Sequence, residues 1–251
     1  MFGTARAGVD PAATIARSVR LAAAFRVEQS DPGRFYGLLA ADSARQVSAY
    51  VDLTGASLLD VGGGPGYFAD AFTAAGARCI AVDVDAGETR LHGRAPGPCT
   101  VLGSGMALPF GTGALDIAYS SNVLEHVDRP WRMADEMVRV VRPGGTVFLS
   151  YTLWYGPWGG HETAPWHLLG GRRAADRYER RFGRRPKNDY GVTLFPVTAA
   201  EGLRWARRHS GVELVAAVPR YLPRWCTFVL GVPAVREVLA WNLLLVLRVR
   251  T

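Results

Sequence analysis

The sequence predicts an α/β fold, a mostly parallel seven-stranded sheet with helices on both faces and two helices ahead of it. Three observations carry this. Between residues 57 and 152, short apolar runs alternate with segments of helical spacing, the pattern that strand–helix–strand units leave in a sequence. The first apolar run ends in the glycine-rich loop Gly62-Gly63-Gly64-Pro65-Gly66. Further along, residues 212–218 and 243–249 are short apolar stretches of strand length that complete the sheet.

The elements follow in order. Residues 12–29 and 34–52 read as helices, with Ser30-Asp31-Pro32-Gly33 as the turn between them. Ile15, Val19, Ala22, Ala23 and Phe25 recur near helical spacing, so one face of the first helix should pack on the body. Residues 57–61 form the first strand, and a helix over 67–76 stops at Gly76. The second strand is 78–84, followed by a short helix over 85–93; the third strand is 99–102 and the fourth 116–120. A helix over 129–142 ends before Pro143-Gly144-Gly145, and 146–152 is the fifth strand. Residues 153–197 break the rhythm: they are rich in Trp, Gly, Pro and Arg, and a loop-rich cap insert of that length after strand five is usually functional. Thr198 and Glu201 make a capping box that opens a helix to about Ser210. Strands over 212–218 and 243–249 close the sheet. No repeat or linker divides the chain. A single domain is expected, with N-terminal helices in 1–54, a core in 55–152, the insert in 153–197 and the rest of the sheet in 198–251.

Composition narrows the class. Hydrophobic residues are 49% and charged residues 20% of 251, which excludes wholesale disorder. The formal charge of +7 comes from arginine, since Lys187 is the sole lysine. This disfavours Schiff-base chemistry and suits anionic partners without choosing one. Cys79, Cys99 and Cys226 are far apart with no C-x-x-C pair, which argues against a structural zinc or a disulfide framework and for a reducing, cytoplasmic setting. Met1 to Phe25 contain Arg6, Arg17 and Arg20 and no unbroken apolar core, unlike a secretory signal. The most apolar stretch, Val238 to Val249, falls short of the roughly 20 residues a bilayer requires.

Gly62, Gly64 and Gly66 permit a tight turn and close approach of a ligand to a helix N-terminus. The dinucleotide fingerprint G-x-G-x-x-G would put its third glycine where this chain has Tyr67, which argues against NAD.

Further segments stand at fixed distances beyond the loop: Ile80-Ala-Val-Asp83-Val-Asp85, Gly103-Ser-Gly-Met-Ala-Leu-Pro-Phe110, Ser120-Ser-Asn-Val-Leu-Glu-His126 and Arg142-Pro-Gly-Gly145. Together with Asp60-Val-Gly-Gly-Gly-Pro-Gly66, they resemble the class I S-adenosylmethionine-dependent methyltransferases, specifically the type 11 group, over about residues 55–152. More loosely, the whole chain resembles uncharacterised actinobacterial methyltransferases. The resemblance implies a Rossmann-like fold and S-adenosyl-L-methionine as cofactor. It also implies a cofactor site made of Asp60, Gly62, Gly64, Gly66, Tyr67, Phe68, Asp83, Val84, Ser104, Gly105, Met106 and Asn122. Asp83 matches the acid that binds the ribose, a task suited to a carboxylate facing two adjacent hydroxyls. The family usually has an aspartate for the adenine amino group where this chain has Ser104. A hydroxyl accepts more weakly, which shifts weight to the backbone of Gly105 and Met106.

Transfer from a sulfonium needs orientation and a dry site, and a hydroxyl acceptor also needs a base. His126, just past strand four, and His161 and His167 in the insert are the candidate catalytic histidines, whereas His92 and His209 read as surface residues. Trp154, Tyr155, Trp158, Glu162 and Trp166 are candidate acceptor contacts, with the tryptophans stacking on a sugar or another flat group; the alternative is a lid packed only on the sheet edge. His161-Glu162 with His167 lacks H-E-x-x-H spacing, so no metal is expected. In the arginine run 171–187, Asp176 and Arg180 stand four apart, as on a self-paired solvated helix face; the alternative is a basic wall for a phosphate or an anionic lipid headgroup.

The expected function is methyl transfer to a small-molecule acceptor, anionic or glycosylated, at a hydroxyl of a sugar, glycolipid or secondary metabolite. The alternatives are a cofactor-binding protein without transfer and a nucleic-acid methyltransferase; no RNA-binding module or Asn-Pro-Pro-Tyr-like site favours the last. Peripheral membrane contact through the apolar C-terminal residues and the arginine run is a further expectation.

Overall fold

A computed structural model of the chain describes residues 13–28 and 30–251. Arg6 and the two end residues of the expected first helix, 12 and 29, lie outside the described residues. Seven strands form one sheet in the order β3-β2-β1-β4-β5-β7-β6. β1 (Ser57–Val61), β2 (Arg78–Asp83), β3 (Thr100–Leu102), β4 (Leu115–Ser121) and β5 (Val141–Thr152) run parallel. β7 (Asn242–Val249) pairs antiparallel with both β5 and β6 (Val212–Pro219). The helices are α1 (Ile15–Phe25), α2 (Pro32–Ser48), α3 (Tyr67–Ala74), α4 (Pro130–Val140), α5 (Gly171–Phe182), α6 (Ala199–Arg208) and α7 (Val235–Leu239). Among the described residues, no helix is long and apolar enough to cross a membrane.

The sheet is buried on both faces. On one side Met133, Met137 and Leu203, from α4 and α6, pack on Leu59, Ala118, Val147, Leu149, Leu245 and Leu247. On the other, Val47 and Phe72, from α2 and α3, pack on Leu58, Ile117, Tyr119, Phe148, Leu244 and Val246. Successive β7 residues thus bury to opposite sides, which is why that strand reads as an unbroken apolar run.

Several boundaries differ from expectation for local reasons. Ser30 to Gly33 is a helix start rather than a free turn: Asp31 accepts from the Arg34 N–H at 3.1 Å, and Pro32 opens α2, where its missing N–H is no loss. The expected helix over 85–93 is a 3-10 turn, Glu88–Gly93, broken at Leu91 and His92. β5 begins early at Val141, opposite Leu115, and pairing resumes at Thr146, so Arg142 to Gly145 bulge out. Residues 219–241, with no element expected before Val238, hold a 3-10 segment, Arg224–Gly231, and α7.

Two buried arginines tie the N-terminal helices to the sheet. Arg17 reaches Asp42 with its Nε (2.9 Å) and Nη2 (2.6 Å) and donates to the Arg220 carbonyl at 2.9 Å. Burial opposes the Asp42 charge, but Arg17 and Arg45 outweigh it and hold that carboxyl below its ordinary range. Arg220, 1% exposed, donates to the hydroxyls of Ser121 and Ser150 at 2.5 Å, Ser43 at 2.7 Å and Tyr119 at 2.8 Å.

Candidate active site

The glycine loop crosses the C-terminal end of β1. Gly62, Gly64 and Gly66 have φ of +78°, +48° and +82°, a region that L side chains avoid. A Cβ on Gly62 would fall 2.4 Å from a Val123 methyl, whereas one on Gly64 or Gly66 would meet nothing within 4 Å. The loop therefore backs tightly onto the chain after β4 and leaves open space on its other side. Asp83, at the end of β2, accepts from the Gly64 N–H at 2.9 Å and the Asp85 N–H at 3.0 Å. Asp60 is buried beneath the loop with Oδ2 unpartnered. Burial, and then the charge of Asp83, pushes its carboxyl up to about 7.

The rest of the expected cofactor set falls around this loop. Tyr67 opens α3, stacks on Tyr36 at 5.6 Å and lies under the Arg94 guanidinium at 4.4 Å. Arg94 also donates to the Pro65 carbonyl at 2.7 Å and pairs with Asp70. Phe68 packs on Tyr119 at 5.8 Å, and Val84 is exposed. The Ser104 hydroxyl accepts from the Met106 N–H at 3.2 Å, so part of its accepting capacity serves the local turn. Gly105 backs onto Met133 and Val61, where a Cβ would meet their atoms at 3.1–3.2 Å. Met106 packs against the larger core. The open cradle, the carboxylate of Asp83 and the orphaned oxygen of Asp60 fit a nucleoside carrying cationic groups.

Past β4, Asn122 has φ +56°. Its amide donates to the Tyr221 hydroxyl at 3.3 Å and accepts from the Asn242 amide at 2.7 Å. Glu125 is 2% exposed; its Oε1 accepts from the Thr152 N–H at 3.0 Å, and its Oε2 has no partner. His126 Nδ1 lies 2.8 Å from the Thr193 carbonyl, which can only accept, so Nδ1 is the donor and Nε2 is left free of that bond. The His161 ring stands 5.0 Å from that of His126, its Nε2 buried and unpartnered and its backbone at φ +47°. Burial, and then His126, pushes the His161 imidazole down to about 4, so it is neutral near pH 7.

The insert divides the remaining candidates. Trp158 packs at a tilt 4.5 Å from Trp241, which in turn lies 5.3 Å from Tyr221 and 5.8 Å from Phe25. These rings form an aromatic wall joined to Asn122 through Tyr221. Trp154 and His167 are packed edge to face within the insert at 5.1 Å, and His167 Nε2 is 2.9 Å from the Trp154 carbonyl. Both are buried, and the structure does not bring them into the His126–His161 pair. Tyr155 is exposed; Trp166, exposed on one side, is covered by Arg177 at 4.0 Å. Glu162 accepts from the Asn188 amide at 3.0 Å. In the arginine run, Asp176 pairs with Arg185 at 3.0 Å, not with Arg180, and Arg185 also holds Glu179 and Asp189. Lys187 reaches Glu88 at 3.0 Å, tying the insert to the turn after β2.

The sequence reading missed Tyr36, Arg94, Tyr221, Trp241 and Asn242. No local motif marks them, because each reaches the site from an element distant in sequence. Glu125 lies inside the quoted segment after β4 and carried a signal that went unused.

The site has clear relatives. A protein of Mycolicibacterium gilvum called an uncharacterized methyltransferase is 56% identical over 247 residues, covering 94% of this chain and 95% of its own. A protein of Mycobacterium marinum with the same name is 55% identical over 247 residues, covering 95% and 96%. An S-adenosylmethionine-dependent methyltransferase structure from Mesorhizobium loti superposes with a TM-score of 0.54 at 19% identity, over 85% of this chain and 97% of its own, and shares the fold. The profile of the family described as a methyltransferase domain matches residues 59–149, the stretch that carries the glycine loop, Asp83, Ser104, Asn122 and His126. With that match and relatives more than half identical over 94% of its length, the chain belongs to the S-adenosylmethionine-dependent methyltransferases of the class I, Rossmann-like fold.

Proposed function

We propose that the methyl group goes to a hydroxyl of a small-molecule acceptor held between Asn122, the His126–His161 pair and the aromatic wall of Trp158, Tyr221 and Trp241. The observation that carries this reading is the pair itself: two imidazoles with free ring nitrogens beside a buried carboxylate, just beyond β4. S-adenosylmethionine, when bound, would supply a methyl already activated by its sulfonium, the C–S electron pair going to sulfur as the hydroxyl oxygen takes the carbon. What the protein adds is alignment, exclusion of water and a place for the hydroxyl proton. The lone pairs of the Glu125–His126–His161 cluster supply that place, and the Thr193 carbonyl keeps the His126 lone pair at Nε2. The aromatic wall suits the face of a sugar or another flat ring. The pairing of Arg185 with Asp176, Glu179 and Asp189 leaves less of the insert for a phosphate backbone and weighs against a nucleic-acid acceptor. The three cysteines are free thiols, which supports a reducing, cytoplasmic setting.

The test is transfer from labelled S-adenosylmethionine to a panel of hydroxylated sugars, glycolipids and phenols, with matched amines as controls. On an accepted substrate, His126→Ala and His161→Ala should each lower turnover by roughly 100-fold or more, with S-adenosylhomocysteine affinity unchanged. Full turnover in both variants removes the cluster from the reaction.

A further inference from the structure

We propose that Glu125, His126 and His161 form the binding site of a divalent first-row transition-metal ion whose remaining positions take oxygen atoms of the acceptor. The inference rests on the acceptor site proposed above and puts an ion, in place of a bare imidazole, against the acceptor's oxygen. The sequence pattern of His161, Glu162 and His167 gave no reason to expect a metal. The fold assembles a different trio, replacing Glu162 and His167 with Glu125 and His126 from the end of β4.

Each of the three offers one donor atom, and these atoms all lie within 4.8 Å of one another. Ligands at roughly 2.0–2.2 Å from a tetrahedral ion stand about 3.3–3.6 Å apart, so side-chain rotations that bring the donors about 1 Å closer close the set. Two of the donors are buried without any partner, Glu125 Oε2 and His161 Nε2. Buried polar atoms are nearly always satisfied, and leaving a carboxylate oxygen unsatisfied is costly. One cation satisfies both atoms at once.

The surroundings orient the donors as a metal site requires. The Thr193 carbonyl accepts a hydrogen bond from His126 Nδ1–H at 2.8 Å and leaves Nε2 to ligate, the outer-shell arrangement typical of metal-bound histidine. The Thr152 N–H holds Glu125 Oε1 at 3.0 Å and leaves Oε2 free. Two imidazoles and one carboxylate favour Mn, Fe, Co or Zn over Mg or Ca, and three protein ligands leave room for oxygens from outside. Paired hydroxyls, or a hydroxyl beside a carbonyl, would therefore be the preferred acceptor groups.

The experiment is titration of the purified full chain, stripped with EDTA and desalted, with Co2+ followed by visible absorption, and with Mn2+ and Zn2+ followed by calorimetry. The wild type should take up one Co2+ per chain and develop a d–d band. Glu125→Gln, which preserves shape, and His161→Ala should each weaken uptake by at least roughly 100-fold, more than the loss of an outer-shell partner generally costs. His209→Ala, remote from the trio, should bind as the wild type does. S-adenosylhomocysteine titration of every sample reports that the variant is folded. No uptake of any of the three ions by wild type that still binds S-adenosylhomocysteine overturns the proposal, as does uptake unchanged in both Glu125→Gln and His161→Ala. Either result leaves the bare-histidine reading standing, because that reading fails only on turnover of the histidine variants.

Discussion

Asp83→Ala should weaken binding of S-adenosylhomocysteine by roughly 30- to 700-fold. In the structure the Asp83 carboxylate spends one lone pair of Oδ2 on the Gly64 N–H and one of Oδ1 on the Asp85 N–H. Each oxygen keeps another, enough for two adjacent ribose hydroxyls. A hydrogen bond to a charged acceptor contributes roughly 1.5–3 kcal/mol, so two represent about 3–6 kcal/mol. Water entering the half-open site recovers part of this, leaving a net loss of about 2–4 kcal/mol, where each 1.4 kcal/mol is about tenfold in Kd. The assay is calorimetric titration of wild type, Asp83→Ala and Asp83→Asn, with NAD as the ligand that should not bind. Thermal melts would separate lost affinity from lost folding. Because the Asp83 charge helps to raise the Asp60 carboxyl, the variant should also move the pH dependence of binding to lower pH. Affinity within threefold of wild type, in a folded Asp83→Ala protein, refutes the ribose assignment.

Asp60 itself sets a second expectation. Its folded value of about 7 lies above its ordinary 3.8, so its share of stability falls as pH climbs through that interval. The cationic groups of S-adenosylmethionine favour the ionised form, so affinity should rise toward pH 7 and level off above it, and Asp60→Asn should flatten that rise. Gly62→Ala would set a Cβ 2.4 Å from Val123 at φ +78°; strain of roughly 1–3 kcal/mol plus the clash should weaken S-adenosylhomocysteine binding about tenfold or more, and adding Val123→Ala should restore part of it in the same titration. Asp42→Ala strands the buried guanidinium of Arg17. Breaking a buried pair from one side costs roughly 3–5 kcal/mol, a fall in Tm of about 6–20 °C for a domain of this size, readable by circular dichroism.

The strands and the glycine loop were legible because their signals are local. The alternation of apolar runs located β1, β2, β4 and β5 to within a few residues except at the early start of β5, and the glycines marked where the backbone must take positive φ. Asp83 and His126 stand out as candidates because each closes or follows a recognisable run. The proposed acceptor side was only partly legible. The spacing within the insert treated Trp154, Trp158 and Trp166 alike, whereas packing sends Trp154 inward against His167 and joins Trp158 to Trp241. Nor does any pattern around Arg220 reveal that four hydroxyls from α2, β4 and β5 surround it. Such networks are set by contacts between residues scores of positions apart, which no window of sequence contains. Arg185 shows the same limit at short range: helical spacing offered Arg180 to Asp176, and the chain beyond α5 folds back to supply a better partner.

The seating of β7 has a consequence for how the chain is made. β7 follows β6 in the chain but lies between β5 and β6, so on the ribosome neither neighbour can be satisfied until residues through Val249 have emerged. Until then β5 presents a long, apolar, unpaired edge, the kind of surface that captures strands from other molecules, and β6 has no strand to pair with. Translation that stalls a few codons before this strand would release a polypeptide with the glycine loop made and an adhesive flank, a natural client for chaperones. The residues made latest in this sheet are thus the ones that let the earlier part stay soluble.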